Sequence, residues 1–180
     1  MRISLQKLKA ILLYFCTNTD PKLLGKVKLM KLFYFLDFNH VKKYGLPITF
    51  DTYVNLEHGP IPSTIKNLVD EVCDDIDSSV LADTISCEFV ESSKMMRIIP
   101  KRSFTSEDEK YFSNSELEVL QSVCNRFSTS NKKYIEDASH NEAPWSMTSF
   151  LDRIPYSLVL NDSDCQVSKE EIELLSQIYE

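Results

Sequence analysis

The chain has 180 residues, the length of one domain that can bury its own core. Its composition, 43% hydrophobic and 26% charged, is ordinary for a soluble globular protein, and its net charge of -7 makes it a poor general binder of nucleic acid. No membrane partner is expected either. Residues 1–60 contain 9 of the 20 basic side chains but only 4 of the 27 acidic ones, so this basic part faces either an acidic partner or the acidic remainder of the chain.

The first predicted element is an amphipathic helix. The opening stretch MRISLQKLKAILLYFC resembles a secretion signal, but no small-residue cleavage site follows it and its apolar run is too short to span a bilayer. Apolar residues recur instead at helical spacing, which predicts a helix that ends before Pro21. The apolar stripe consists of Leu5, Leu8, Ile11, Leu12 and Phe15.

The second predicted helix runs from about residue 23 to residue 44 and is stopped by Gly45 and Pro47. Its middle, KLMKLFYFLDF, is apolar on nearly every side, which is typical of a central, buried helix. Lys28 and Lys31 lie three residues apart, and we expect them to form a solvated strip rather than a binding patch.

A short strand or extended segment is predicted between Ile48 and Leu56, and a rigid joint follows in the sequence EHGPIP. Gly59 can adopt a positive φ that other residues avoid, and the two prolines keep the joint extended. Pro62 is expected in the first turn of a third helix. The apolar stripe of that helix consists of Ile65, Leu68, Val69, Val72 and Ile76.

The remaining predicted elements are a hairpin and three helices. The segments TISCEFVES and KMMRIIP alternate like two strands joined at Ser92–Ser93. Ser113 with Glu116, and Ser168 with Glu171, each form a capping box that begins a helix. A short helix around residues 132–138 lies between them, and the last helix has a stripe of Ile172, Leu175 and Ile178. These elements predict a mainly α protein with a minor β element (α+β), a compact helical domain with a buried central helix and a small β hairpin or sheet.

Few residues indicate chemistry. The chain has no glycine-rich phosphate loop and no G-x-S-x-G elbow, and no cofactor is expected. Its five cysteines are odd in number and contain no C-x-x-C pair, so we interpret them as reduced thiols of a cytosolic protein. A metal site of His58, His140 and Glu142 is an open alternative, since two histidines and a carboxylate can bind a transition metal.

Three ordered stretches of residues 5–150 resemble the Panacea domain, also called the SocA-like antitoxin domain. They are a K-L-x-K-L-x-Y-F helix that ends in G-L-P-I-T, then G-P-I-P, and later H-x-E-x-P-W. The residues that carry the resemblance are Lys28, Lys31, Tyr34, Asp37, Gly59, Pro60, Pro62, His140, Glu142, Pro144 and Trp145. Ala143 departs from the family pattern, in which glycine is more frequent. Residues 1–150 are expected to form this domain, and residues 151–180 a C-terminal extension with a terminal helix packed on it.

The resemblance implies a cytoplasmic antitoxin that binds and neutralises a co-encoded protein toxin of a bacterium or phage. It implies no catalytic residues. Two alternatives stay open: an adaptor that delivers the toxin to an ATP-dependent protease, and a small metal-dependent hydrolase that uses His58, His140 and Glu142.

Two expectations concern the joint around Gly59. We expect this joint and the segment His140–Trp145 to lie close together, with Trp145 largely buried. The toxin-binding face is expected on the edge that extends from the joint, unless those side chains merely cap the third helix and meet solvent. That edge consists of Tyr53, Asn55, Glu57 and His58.

Overall fold

The computed structural model describes residues 3–179 and the side chains of its last helix through Gln177, so the predicted contact of Ile178 lies outside the described side chains. The described helices are α1 (Leu5–Thr17), α2 (Lys26–Tyr44), α3 (Ser63–Asp74), α4 (Ser106–Glu109), α5 (Asn114–Phe127), α6 (Lys132–His140), α7 (Ala143–Ser146) and α8 (Lys169–Tyr179). The strands are β1 (Tyr53–Leu56), β2 (Gly59–Pro62), β3 (Ile85–Val90), β4 (Met95–Pro100) and β5 (Arg153–Ile154). Short 3₁₀ helices cover Ile76–Ser78 and Tyr156–Asn161.

Helix α2 is the central element, as predicted from its apolar composition. Phe33 packs edge-on against Phe15 of α1, and Phe35 packs against Phe127 of α5 at 4.4 Å between ring centroids. The helix begins at residue 26 rather than 23 because the preceding backbone pairs with β4: the amide of Ile98 donates to the carbonyl of Leu24 at 3.1 Å. It ends, as predicted, at Gly45 in the left-handed conformation.

The strands form two separate antiparallel sheets. One has the order β2-β1-β5, and the pairing of Leu56 with Gly59 makes Glu57 and His58 the two-residue turn of the β1–β2 hairpin. Gly59 has a φ of 94°, so its predicted positive φ is confirmed. Pro62 ends β2 and caps α3 instead of occupying its first turn. The other sheet is the predicted β3–β4 hairpin.

Cys73 and Cys87 form a disulfide between α3 and β3, with Cα atoms 5.0 Å apart. The prediction that all five cysteines are reduced is therefore wrong for this pair. The bond forms because α3 packs against β3, which brings the two cysteines together. The spacing of the cysteines in the sequence does not reveal this contact. Cys16, Cys124 and Cys165 are free.

The predicted caps and the predicted fold class are confirmed. Ser113 with Glu116 caps α5 reciprocally, and the amides of Ser168 and Glu171 exchange hydrogen bonds with each other's side chains at the start of α8. Residues after 150 share the same core, to which β5 contributes Ile154 and α8 contributes Ile172. The result is a mainly helical α+β fold. Within residues 3–179, none of the helices has the length and apolar composition needed to cross a membrane.

Candidate functional site

Asp37, in the middle of α2, organises the segment that leads into β1. Its side chain is fully buried and accepts hydrogen bonds from the amides of Ile48 and Thr49 at 2.8 and 2.7 Å. The hydroxyl of Tyr53 donates to the same carboxylate at 2.9 Å. Burial raises the pKa of Asp37 to about 6, although these hydrogen bonds oppose the shift. Because the amides of Ile48 and Thr49 donate to Asp37, residues 48–52 curve around this side chain and cannot join the sheet. Only the last part of the predicted strand, from Tyr53 to Leu56, pairs with β2.

The two motif lysines are buried, which corrects the expectation of a solvated strip. Lys28 donates to the carbonyls of Ser128 and Ser130 at 3.1 and 2.7 Å, where α5 ends with carbonyls that lack helical partners. Lys31 is fully buried and donates to the carbonyl of Pro60 at 2.8 Å. Burial lowers the pKa of Lys28 to about 8 and that of Lys31 to about 7.

The Gly59 joint packs directly on α6, so its predicted proximity to the later motif is confirmed. A Cβ atom on Gly59 would lie 2.8 Å from Oγ of Ser139 and 2.9 Å from Nζ of Lys31. Pro60 and Pro62 are buried along β2. Only glycine leaves room for the backbone to approach both neighbours this closely.

His140 and Trp145 stack face to face beside the joint, with ring centroids 3.8 Å apart. The indole of Trp145 donates to the carbonyl of Leu56 at 3.4 Å, which ties α7 to the end of β1. Trp145 is only partly buried, because one side of the stack meets solvent at the edge of a groove. Pro144, at the start of α7, is buried.

Glu142 faces away from the two histidines of the proposed metal site. It is buried, accepts a hydrogen bond from Tyr34 at 2.9 Å and pairs with Lys42 at 3.1 Å. Burial raises its pKa, and Lys42 opposes the shift. His58 is exposed instead and lies 3.8 Å from Glu136. The hydrolase centre of His58, His140 and Glu142 is therefore not assembled, and no group of three metal-ligating side chains occurs within residues 3–179.

Lys42 holds the C-terminal extension against the motif, a role that sequence reasoning missed. Besides Glu142 it pairs with Asp162 at 3.1 Å and Asp164 at 3.0 Å. Its carbonyl also accepts a hydrogen bond from the amide of Gln166 at 2.8 Å. In the sequence, Lys42 is simply a lysine in the last turn of α2. Its acidic partners can be recognised only when the extension is known to pack there.

The four predicted partner-binding residues divide into two buried and two exposed. Tyr53 is fully buried, and Asn55 is 4% exposed because its amide donates to the carbonyls of Trp145 and Thr148 at 3.0 and 2.9 Å. Neither side chain can contact a partner, which corrects the expectation for this pair. Glu57 and His58, in the hairpin turn, are exposed.

Beside this turn, the loop after α7 exposes large apolar side chains. We refer to Met147, Phe150 and Leu151 as the 147–151 ridge; they are 57%, 63% and 64% exposed. The ridge is held in place, because the amide of Leu151 donates to the carbonyl of Asn55 at 2.8 Å. Leu151 has a φ of 72°, an unusual value for leucine, which this contact fixes. No periodic pattern in the sequence signals this exposure.

Two grooves flank Phe150. The first groove, of about 320 Å³, lies between α2, α3 and the hairpin turn, and is lined by Lys26, Val27, Met30, Leu56, Glu57, His58, Ile61, Lys66 and Phe150. The second groove, of about 450 Å³, lies beside Trp145 and shares Leu56, Glu57 and Phe150 with the first. Phe150 of the ridge therefore joins the two grooves into one surface.

Comparison with known proteins identifies the family. The family model described as "Antitoxin SocA-like, Panacea domain" matches residues 29–146, from the first turn of α2 to the end of α7. No curated protein and no solved structure matches the chain. The matched region contains the Asp37 cluster, the Gly59 joint and the His140–Trp145 stack, which confirms the resemblance noted in the sequence. The chain therefore belongs to the SocA-like Panacea domain family of antitoxins.

Proposed function

We propose that the protein is the antitoxin of a bacterial or phage toxin–antitoxin system, and that it neutralises a co-encoded protein toxin by binding it directly in the cytoplasm. Family membership supports the antitoxin role. The observation that carries direct binding is the 147–151 ridge, which places three large exposed apolar side chains within five residues. Exposed apolar clusters of this kind mark protein interaction sites.

The rigidity of the ridge supports binding as its role. Asn55 anchors the loop through its side chain and its carbonyl, and Asn55 itself is buried under the motif. A surface that is ordered before binding loses little conformational entropy when the partner arrives, which favours affinity. The motif residues then serve recognition indirectly, because they fix the backbone beneath the ridge and the hairpin turn.

The spread of the surface over several elements also favours a protein partner. A stable interface buries about 800 Å² on each side, more than one groove provides. Phe150 of the ridge and Glu57 of the exposed turn line both grooves, and His58 lines the first, so one partner can cover them together. Stoichiometric binding of this kind requires no turnover.

Co-expression with the product of the adjacent reading frame tests the proposal. That product alone should arrest growth, and the antitoxin should restore it while the amount of tagged toxin in the cell stays constant. Restored growth accompanied by loss of the toxin, and abolished in a strain without the ATP-dependent protease, would identify a proteolytic adaptor instead. Failure to restore growth would contradict the antitoxin role itself.

A further inference from the structure

The first groove combines an apolar floor with a charged rim. Its floor consists of Val27 and Met30 of α2, Leu56 of β1 and Ile61 of β2, and Phe150 closes one side. A volume of about 320 Å³ is at the small end of the range for ligand pockets, about 300–1,000 Å³. It suits one or two inserted side chains rather than a folded element of a partner.

The rim is positive on the side of the two helices. Lys26 of α2 and Lys66 of α3 both pair with the same carboxylate, that of Asp70, and the Lys66 contact is 2.6 Å long. Both lysine side chains remain about one-third exposed. One carboxylate neutralises only one of the two ammonium groups, so this side retains an excess positive charge. Glu57 lines the other side of the groove, so the excess positive charge is confined to the helix side.

We propose that the first groove receives the anchor of the toxin: a large apolar side chain inserted beside Phe150, with a neighbouring carboxylate that meets Lys26 and Lys66. This inference rests on the proposed function, since it names the chemistry of the toxin segment. The apolar floor selects the inserted side chain, and the excess positive charge on the helix side of the rim, away from Glu57, selects the acidic neighbour. Buried apolar anchors carry most of the binding energy of protein interfaces, and complementary rim charges accelerate association and set its register.

The geometry of Phe150 makes it the residue on which the inference depends most. It lines both grooves and is 63% exposed, so its ring has most of its surface available to a partner. Because the ring contributes little to the core, its replacement should leave the fold intact. Phe89 on β3 is a matched control, since it is an aromatic residue of similar exposure, 51%, that lines neither groove.

The experiment measures binding of the purified product of the adjacent reading frame by calorimetry. Phe150→Asp is expected to raise the dissociation constant about 30-fold or more, as for an interface hot spot, whereas Phe89→Asp leaves it within about twofold. The charge reversal Lys26→Glu with Lys66→Glu is expected to raise it about tenfold at low salt. The control reversal uses Lys110 and Lys169, whose ion pairs are exposed and lie outside the groove.

The outcomes separate the inference from the proposed function. If the wild-type protein neither binds nor rescues growth, the proposed function fails and the inference fails with it. If wild type binds but Phe150→Asp binds equally well, or Phe89→Asp weakens binding as much, the anchor site is wrong while the function stands. An unchanged affinity after charge reversal of Lys26 and Lys66 would contradict the proposal that a carboxylate of the toxin meets these two lysines. Melting transitions check each variant, and Phe150→Ala replaces the aspartate variant if that one melts early.

Discussion

Gly59→Ala should destabilise the fold by about 3 kcal/mol, more than a surface substitution normally does. The reason is local and has two parts. The backbone at this position has a φ of 94°, which an alanine adopts only under strain, and the added methyl group would meet Ser139 and Lys31 below 3.0 Å. Neither neighbour can move aside freely, since Ser139 donates to the carbonyl of Glu136 at 2.8 Å and Lys31 to that of Pro60 at 2.8 Å.

The magnitude follows from three terms. Backbone strain in a sparsely populated region costs about 1–3 kcal/mol, and overpacking by one methyl group costs about 1–3 kcal/mol. Replacing glycine by alanine restricts the unfolded chain and returns about 0.4–1 kcal/mol. The net loss is therefore about 1–6 kcal/mol, with a middle value of about 3 kcal/mol. Ser139→Ala removes the closer contact, so the double variant should be about 1 kcal/mol more stable than the sum of the single effects predicts.

Urea unfolding of the wild type, both single variants and the double variant measures these differences, with unchanged slopes indicating a common unfolded state. Gly25→Ala is the control that lacks backbone strain, because Gly25 has a negative φ. Its added methyl group would meet the flexible side chain of Met95. A loss below 1 kcal/mol for Gly59→Ala, or strict additivity with Ser139→Ala, would refute the packing of the joint on α6.

Three further predictions concern titration and redox state. The pKa of Lys31 is about 7 in the folded protein and about 10.5 in the unfolded chain, so the unfolded chain binds more protons between these two pH values. The free energy of unfolding should therefore rise by about 2 kcal/mol from pH 7 to pH 9, compared with the Lys31→Met variant. Burial lowers the pKa of His140, so fluorescence of Trp145, the only tryptophan, should titrate with a midpoint below 6.5, and His140→Gln should abolish this step. Opening the Cys73–Cys87 bond should cost about 3 kcal/mol. Alkylation in denaturant before reduction should label three of the five cysteines, and five labels would contradict the bond.

Short-range physics made the elements predictable from the sequence. Capping pairs such as Ser113 with Glu116 lie three residues apart, so their spacing alone indicates where a helix begins. The end of α2 at Gly45 and the positive φ of Gly59 follow from the conformational freedom of glycine. Two rigid turns in one small domain pack most economically as one corner, which predicts that the joint and the His140–Trp145 segment lie close together.

The site depended on contacts that no local pattern encodes. The burial of Lys31 could not be predicted, because its acceptor, the carbonyl of Pro60, is 29 residues away in the chain. Without that acceptor in view, a lysine is expected in solvent. Tyr53 lies in a segment with the alternating pattern of a strand, but the pattern does not say which way its side chain points. The side chain points inward because its hydroxyl donates to the buried carboxylate of Asp37. Phe150 is exposed because the backbone of Asn55 holds its loop, a tertiary contact that leaves no trace in periodicity.

The most direct test of direct neutralisation uses only purified components. Increasing amounts of this protein are added to a fixed amount of the toxin, and the remaining toxic activity is measured without ATP or protease. Direct neutralisation predicts a linear loss of activity that is complete at one molecule of antitoxin per molecule of toxin, with Phe150→Asp shifted to a large excess. Inhibition that continues at substoichiometric amounts, or that occurs only when an ATP-dependent protease is supplied, would contradict it.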